Sequence, residues 1–360
     1  MSEKYPLSRK MEKLIKLSSQ VRVMNTDHLS LEDLNMLNKK PIGKGRVIRS
    51  LFGRDIKNCS CTSYIIPVTD GAITGYLYNC DGSDSMSSLK PLLIYFHGGG
   101  WVFGNMDLYG YYCRHLAKIT NSSVLLVDYR LAPKYKFPTA LEDCFDAYLW
   151  AINGVKYWKA DPDRIFLLGD SAGGALAAGV SLLCRDRKKP LPNGQILICP
   201  MTDGRLRTES FARYADSPTL NAKQMQFYVT SYQREPKDIL SPLFSPLLAP
   251  DLSRLPETLI IGAEFDPLKD DGRLFTEALN EAGSIAQYIE IEQAVHGFAI
   301  YPKADGTAKA DCIIRQFTAG RPAQKVQNMT EPELKRDARL KMQAATKVAM
   351  ESKHEDKKDS

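Results

Sequence analysis

The chain has 360 residues, of which 44% are hydrophobic and 25% are charged, and its net charge is +6. This composition is ordinary for a folded globular protein and argues against disorder over most of the chain. The positive charge is small and dispersed rather than gathered into a basic stripe, so nucleic acid is not an expected partner.

The N-terminal segment and the cysteines bear on localisation. Residues 1–20 are charged throughout and lack the apolar stretch of a signal peptide, and the sequence has no apolar run long enough for a transmembrane helix. The eight cysteines form no CxxC pair and show no zinc-site spacing. Four of them, Cys113, Cys144, Cys184 and Cys199, fall in apolar patterns, as free thiols commonly do. We therefore predict reduced cysteines, a cytoplasmic protein and no stable membrane insertion.

Residues 1–50 are predicted to be helical. Met11, Leu14 and Leu17 recur at nearly helical spacing among lysines. A second helix is indicated after Ser30, because Ser30-x-x-Asp33 has the form of a capping box.

From residue 62 onward, short apolar runs alternate with longer helical patterns. This alternation predicts βαβ units and a mostly parallel sheet, in an α/β fold. Runs that are apolar throughout, such as LLIYF, indicate strands covered on both faces. The predicted strands are 92–96, 124–128, 165–168, 195–199, 258–262 and 287–291, and the predicted helices lie near 107–119, 138–153, 172–184 and 270–282.

Two segments depart from this alternation. Residues 201–250 are rich in serine, proline and charge, with one helical pattern, AKQMQFYVTSY. An insertion of this kind between strands usually lies over the active-site face of the sheet. Beyond residue 320 the chain is strongly charged, and we expect an amphipathic helix over 331–350 and disorder over 351–360. This extension is either a solvated tail or an assembly element, and the second possibility would give a homo-oligomer.

The sequence G-D-S-A-G at 169–173 fits the G-x-S-x-G motif around Ser171. It follows the strand pattern IFLL and precedes the helical run ALAAGVSLLC, which is the context of a nucleophile elbow. Small flanking residues let a strand and a helix approach each other around a strained serine. The N–H of Ala172, at the helix N-terminus, then faces a developing oxyanion. The pattern by itself leaves open a glycine-rich turn without chemistry.

A second glycine cluster, HGGGW at 97–101, follows the strand pattern LLIYF. Glycines allow backbone N–H groups to come within about 3 Å of a negatively charged oxygen, as the oxyanion motif of esterases requires. A phosphate loop is disfavoured, because Asn105 and Met106 stand where lysine and serine or threonine are needed. A dinucleotide motif fails at Phe103. We expect His97 to order the loop rather than to act as a base.

The serine needs a general base, and His296 is the favoured candidate. It follows the strand pattern QYIEI, and active sites of open α/β sheets collect at the carboxyl ends of strands. The other histidines, apart from His97, are His28, His115 and His354, and none has this position.

The base in turn needs an orienting carboxylate, for which Asp266 is favoured. It follows the strand pattern TLIIG, and the resulting chain order of Ser, Asp and His is the one found in α/β-hydrolases. Glu264, Asp270 and Asp271 compete for this role, although the last two are expected to start the next helix.

The motifs HGGGW, YRLAPKYKFPTALED, GDSAGG, EFDPLKDDG and VHGF, in this order, resemble the hormone-sensitive-lipase-like family of α/β-hydrolases over residues 90–318. The resemblance implies a serine carboxylesterase or lipase acting on small-molecule esters, mostly with short- to medium-chain acyl groups and without a metal or cofactor. It implies Ser171 as nucleophile, Asp266 as acid and His296 as base. Gly99 and Gly100 would join Ala172 in the oxyanion hole.

The resemblance also divides the chain. It implies a helical cap formed by residues 1–50 and an insertion at about 201–240, on a catalytic domain over 51–320. It does not account for the charged extension over 321–360. The YRLAP residues, 129–133, are expected to support the site structurally.

Several alternatives remain open at this stage. The same triad would serve an amidase, a peptidase or a deacetylase, and the fold also occurs in non-catalytic small-molecule receptors. Six aromatic residues could line the acyl pocket or belong to the core: Trp101, Phe103, Tyr109, Phe211, Tyr214 and Phe227.

Overall fold

The computed structural model describes residues 5–18, 29–39, 56, 58–80, 89–104 and 106–320. Much of the predicted N-terminal cap and the whole extension over 321–360, with its predicted helix and disordered end, lie outside the described residues. The division into cap, catalytic domain and extension stays a prediction.

An eight-stranded sheet forms the centre of the protein, in the order β1-β2-β4-β3-β5-β6-β7-β8. Strand β2 is antiparallel to its neighbours β1 and β4, and the other pairs are parallel. This is the mostly parallel α/β sheet expected from the sequence. The strands are β1 (Cys59–Val68), β2 (Gly71–Cys80), β3 (Lys90–Phe96), β4 (Ser123–Asp128), β5 (Ala160–Asp170), β6 (Gly194–Ile198), β7 (Glu257–Phe265) and β8 (Ala286–Val295).

Helices cover both faces of the sheet. They are α1 (Arg9–Ser18), α2 (Leu31–Lys39), α3 (Met106–Thr120), α4 (Thr139–Gly154), α5 (Ala172–Asp186), α6 (Glu209–Arg213), α7 (Ala222–Tyr232), α8 (Lys269–Glu281) and α9 (Thr307–Thr318). Alternate residues of β3 enter different cores: Leu92 and Ile94 pack in one with α4 and α5, and Leu93 and Tyr95 in the other with α3 and α9. Burial on both faces explains why these strands are apolar throughout. No helix within the described ranges is long and apolar enough to cross a membrane.

The hairpin of β1 and β2 was not predicted, and it contains a disulfide bond. The register places Cys59 opposite Cys80, and the structure joins their sulfur atoms. The prediction that all cysteines are reduced is therefore wrong for this pair. The two residues are neighbours only through the pairing of the strands, and their separation in the sequence gives no sign of it.

The six other cysteines are free thiols, and they differ sharply in exposure. Cys61 is exposed and the remaining five are buried, including the four in the apolar patterns noted in the sequence. Burial also raises the pKa of the Cys113 and Cys144 thiols well above the ordinary value. Because alkylation needs an accessible thiolate, native protein treated with iodoacetamide should carry one adduct, on Cys61. Intact-mass analysis and peptide mapping would check this, with Cys61→Ser as the unmodified control. A second adduct without denaturant would contradict it.

Candidate active site

Ser171 occupies the sharp turn between β5 and α5. Its backbone has φ 55° and ψ −119°, a conformation that non-glycine residues rarely adopt. Its N–H donates to the carbonyl oxygen of Ile198 at 2.8 Å, which ties the turn to the end of β6. A Cβ atom at Gly173 would overlap the carbonyl oxygen of Phe96. Glycine at this position therefore lets α5 lie close to β3 and places the serine at the carboxyl edge of the sheet.

His296 and Asp266 meet Ser171 from the ends of two other strands. The Nε2 atom of His296 lies 2.9 Å from Ser171 Oγ, and its Nδ1 atom lies 2.8 Å from Asp266 Oδ2. The other oxygen of Asp266 accepts the N–H of Leu268 at 2.8 Å. Asp266 is fully buried and His296 is 6% exposed, so water competes little for these hydrogen bonds. In this arrangement His296 can accept the hydroxyl proton of Ser171 while the Ser171 oxygen attacks an electrophile.

The other carboxylates considered for the acid have different partners. Glu264 accepts the N–H of Gln293 at 2.7 Å. Asp270 and Asp271 lie in the first turn of α8, as expected from the sequence. Among the remaining histidines, His115 on α3 lies 2.7 Å from Asp311, whereas His28 and His354 lie outside the described residues.

The glycine-rich loop after β3 carries unpaired backbone donors. Gly99 and Gly100 have φ of +106° and +64°, values that favour glycine. The carbonyl oxygen of Gly99 accepts the N–H groups of Val102 and Phe103. Within the described part of the chain, the N–H groups of Gly99 and Gly100 have no protein acceptor. Ala172 is the first residue of α5, so its N–H has no partner within the helix either.

Asp170 joins this loop to the turn at Ser171, a role that the sequence analysis missed. Its Oδ1 atom accepts the N–H of Gly98 at 2.7 Å and the hydroxyl of Tyr95. The signal was present, because Asp170 is the variable residue before the serine in G-x-S-x-G. Its carboxylate fixes the distance between the two glycine-rich motifs.

His97 lies inside the protein and orders the loop, as expected. Its Nδ1 atom donates to the carbonyl oxygen of Gly98 at 2.8 Å. Its ring stacks on Tyr129 at 4.2 Å between centroids, and the Tyr129 hydroxyl donates to the His97 carbonyl at 2.7 Å. Burial lowers the pKa of His97 to about 4, so the ring is neutral near pH 7.

This shift has a consequence for stability in acid. The His97 pKa falls from 6.5 to about 4 on folding, so protons bind the unfolded chain preferentially. Above pH 6.5 the free energy of unfolding contains the full contribution of neutral His97. As the pH falls from 6.5 to 4, the free energy of unfolding decreases by about 3 kcal/mol. His97→Asn keeps a donor for Gly98 and should lack this loss. Urea unfolding across this pH range would test the difference, and parallel curves for the two proteins would contradict it.

Cys199, directly after β6, lies beside Asp266 and His296. Burial, followed by the neighbouring Asp266 carboxylate, raises the pKa of the Cys199 thiol well above its ordinary value. The possible ligand atoms of Cys199, Asp266 and His296 lie within 4.8 Å of one another, and thiol, carboxylate and imidazole suit a thiophilic cation. A cation there would displace the hydrogen bond between Asp266 and His296. The expectation of no metal cofactor stays a prediction.

The aromatic residues considered for the pocket divide into two groups. Trp101, Tyr109 and Tyr214 are buried in the cores, whereas Phe103, Phe211 and Phe227 are partly exposed. Tyr228 on α7 was overlooked in the sequence, although its ring fills the space that a Cβ atom of Gly100 would occupy. It also meets Phe103 edge to face at 6.1 Å.

Comparisons with known proteins agree with this geometry. Residues 93–300 match a family model described as the α/β-hydrolase fold. An arylesterase of Saccharolobus solfataricus is 39% identical over 213 residues, which are 59% of this chain and 69% of that protein. The carboxylic ester hydrolase LipN of Mycobacterium tuberculosis is 33% identical over 286 residues, which are 78% of this chain and 74% of that protein. The solved structure of an esterase from Pyrobaculum calidifontis superposes with a TM-score of 0.76 at 30% identity, covering 89% of this chain and 99% of that one. The chain therefore belongs to the α/β-hydrolase family, among its hormone-sensitive-lipase-like carboxylic-ester hydrolases.

Proposed function

We propose that the protein hydrolyses carboxylic esters through a triad of Ser171, His296 and Asp266. The observation that carries this proposal is the continuous pair of hydrogen bonds, 2.9 Å from Ser171 to His296 and 2.8 Å from His296 to Asp266. An activated serine needs a base within hydrogen-bonding distance and a carboxylate that orients the base. The two hydrogen bonds, between side chains from three strand ends, meet both requirements.

The reaction proceeds in two acyl-transfer steps. Ser171 Oγ attacks the ester carbonyl carbon while His296 Nε2 accepts the hydroxyl proton. The resulting imidazolium, held by Asp266, returns that proton to the departing alkoxide, and the alcohol leaves an acyl-enzyme. Water then attacks the acyl carbon as His296 accepts its proton, and the same proton returns to Ser171 when the carboxylic acid leaves.

Backbone N–H groups stabilise the tetrahedral intermediates. Ala172, at the N-terminus of α5, and Gly99 and Gly100, in the loop after β3, supply the donors of the oxyanion hole. Donors fixed in advance stabilise the new charge without reorganising during the reaction, and such interactions are usually a large part of catalysis. The unpaired state of the two glycine N–H groups within the described structure supports this assignment.

The substrate is a small-molecule ester with a short- to medium-chain acyl group. The support for this is the Tyr228 ring, which lies against Gly100, with Phe103 at its edge. Aromatic rings this near to the oxyanion loop limit the room beside the reacting carbonyl.

Hydrolysis of p-nitrophenyl acetate, butyrate, octanoate and palmitate, next to a matched p-nitroanilide, tests the reaction class. We expect turnover with the first three esters, with a maximum at butyrate or octanoate and slow hydrolysis of the anilide. A maximum at palmitate would make the protein a lipase. Faster hydrolysis of the anilide would make it an amidase, and no turnover of any substrate would favour a receptor.

Three further predictions from the sequence are kept as proposals. These are a cytoplasmic location, the lack of a nucleic-acid partner, and assembly as a homo-oligomer. The charged N-terminal segment supports the first of these, and the mild, dispersed net charge supports the second.

A further inference from the structure

Asn38 of helix α2 forms hydrogen bonds with the loop that follows β3. Its Nδ2 atom donates to the carbonyl oxygen of Val102 at 2.9 Å. Its Oδ1 atom accepts the N–H of Gly104 at 3.0 Å. Both polar ends of one amide therefore bind backbone groups two residues apart in the loop, and this defines the loop's position relative to α2.

Besides the bonds of Asp170 and Tyr129 at the start of the loop, backbone hydrogen bonds hold its middle part. Gly99 accepts the N–H groups of Val102 and Phe103 at 3.2 and 2.9 Å, and Trp101 accepts the N–H of Ala132 at 2.9 Å. Among the residues that the structure describes, Asn38 is the protein partner of the Val102 carbonyl and of the Gly104 N–H. Without Asn38, these two buried positions would lose their hydrogen bonds.

Helix α2 is itself fixed at its start and along its buried side. The Ser30 N–H donates to Asp33 at 2.9 Å, and the Asp33 N–H donates to Ser30 Oγ at 3.1 Å, which forms the capping box expected from the sequence. Leu34 is 2% exposed and belongs to the same core cluster as Val102. The helix can therefore present Asn38 at a defined place.

We propose that Asn38 is a positioning residue for the oxyanion-binding loop, an inference that rests on the proposed function. The loop segment that carries Gly99 and Gly100 continues directly into the segment that Asn38 holds. Oxyanion donors act only when they lie about 3 Å from the place where the charge develops, so a shift of the loop weakens catalysis. Asn38 acts through the loop and contacts no reacting atom.

Asn38→Ala and Asn38→Leu both remove the two hydrogen bonds, and leucine retains most of the side-chain volume. We expect kcat for p-nitrophenyl butyrate to fall about tenfold in both variants, with KM nearly unchanged, because the oxyanion forms only after attack. Asn35→Leu is the matched control, since Asn35 is exposed on the same helix. It should retain the wild-type kcat.

The rate of phosphonylation of Ser171 by a p-nitrophenyl alkylphosphonate provides a second measurement. The phosphonyl oxygen uses the same donors, so this rate should fall by the same factor as kcat. A lower melting temperature with unchanged kcat and phosphonylation rate would overturn the inference, as would an equal loss in Asn35→Leu.

The phosphonate also distinguishes a failure of the proposed esterase function from a failure of the proposed role of Asn38. A wild type that is phosphonylated at Ser171 but hydrolyses no ester would refute the proposed substrate class, and the rates of the Asn38 variants would still decide the role of Asn38. A wild type that reacts with neither compound would overturn both proposals.

Discussion

Ser171→Ala should lower kcat for p-nitrophenyl butyrate by roughly four to six orders of magnitude. In the proposed mechanism the serine hydroxyl forms the covalent acyl-enzyme, and alanine has no group that can replace it. Its Oγ atom makes the 2.9 Å hydrogen bond to His296, whereas its backbone N–H makes the 2.8 Å bond to Ile198. Alanine keeps the backbone bond, so the chemistry should be lost while the fold is retained. Initial rates and a thermal unfolding curve would measure the two effects.

Ser181→Ala is the matched control for this variant. Ser181 lies on the same helix, α5, fully buried, and donates to Gln195 Oε1 at 2.9 Å. Its loss should cost stability of about 1 kcal/mol without a large change in kcat. Activity that survives in Ser171→Ala, or that disappears equally in Ser181→Ala, would contradict the assignment of the nucleophile.

Gly99→Ala has the second-largest expected effect, a fall in kcat of about a hundredfold to a thousandfold. The backbone at Gly99 has φ +106°, and an added Cβ atom would overlap the carbonyl oxygen of Phe103. Because that neighbour is backbone, the overlap cannot be relieved by rotating a side chain. The loop must move, and its N–H donors move with it. Steady-state rates with p-nitrophenyl butyrate would measure the loss, and KM should change much less than kcat.

Gly283→Ala separates this effect from backbone strain in general. Gly283 has φ +82°, but an added Cβ atom there would meet no atom within 4 Å. The variant should lose some stability and keep its kcat. A Gly99→Ala enzyme with the kcat of Gly283→Ala would remove Gly99 from the oxyanion hole.

The parallel part of the sheet was predictable because burial on both faces leaves a strong pattern in the sequence. β3 and β4 are almost wholly buried, and their apolar runs gave their positions to within two residues. β1 is different, because it lies at the edge of the sheet and most of its residues are at least partly exposed. Without an apolar run, neither this strand nor the pairing of Cys59 with Cys80 could be predicted.

The candidate triad could be selected from the sequence because each member directly follows an apolar strand or lies in a dense motif. The supporting residues could not be found in the same way. Asp170 lies in a dense motif, but its bonds to Gly98 and Tyr95 depend on strand order. The bonds of Asn38 depend on helix packing. The separation of 66 residues between Asn38 and Gly104 shows how little local pattern such a contact leaves.

Phosphonylation with a p-nitrophenyl alkylphosphonate tests the central claim most directly. The modified peptide identifies the nucleophile, and the released nitrophenolate identifies the leaving group. Attack by Ser171 Oγ on phosphorus forms a P–O bond and releases nitrophenolate. We expect one equivalent of nitrophenolate per chain, a phosphonyl group on the peptide that contains Ser171, and a parallel loss of ester hydrolysis. An adduct on another residue, or loss of hydrolysis with Ser171 unmodified, would contradict the proposed mechanism.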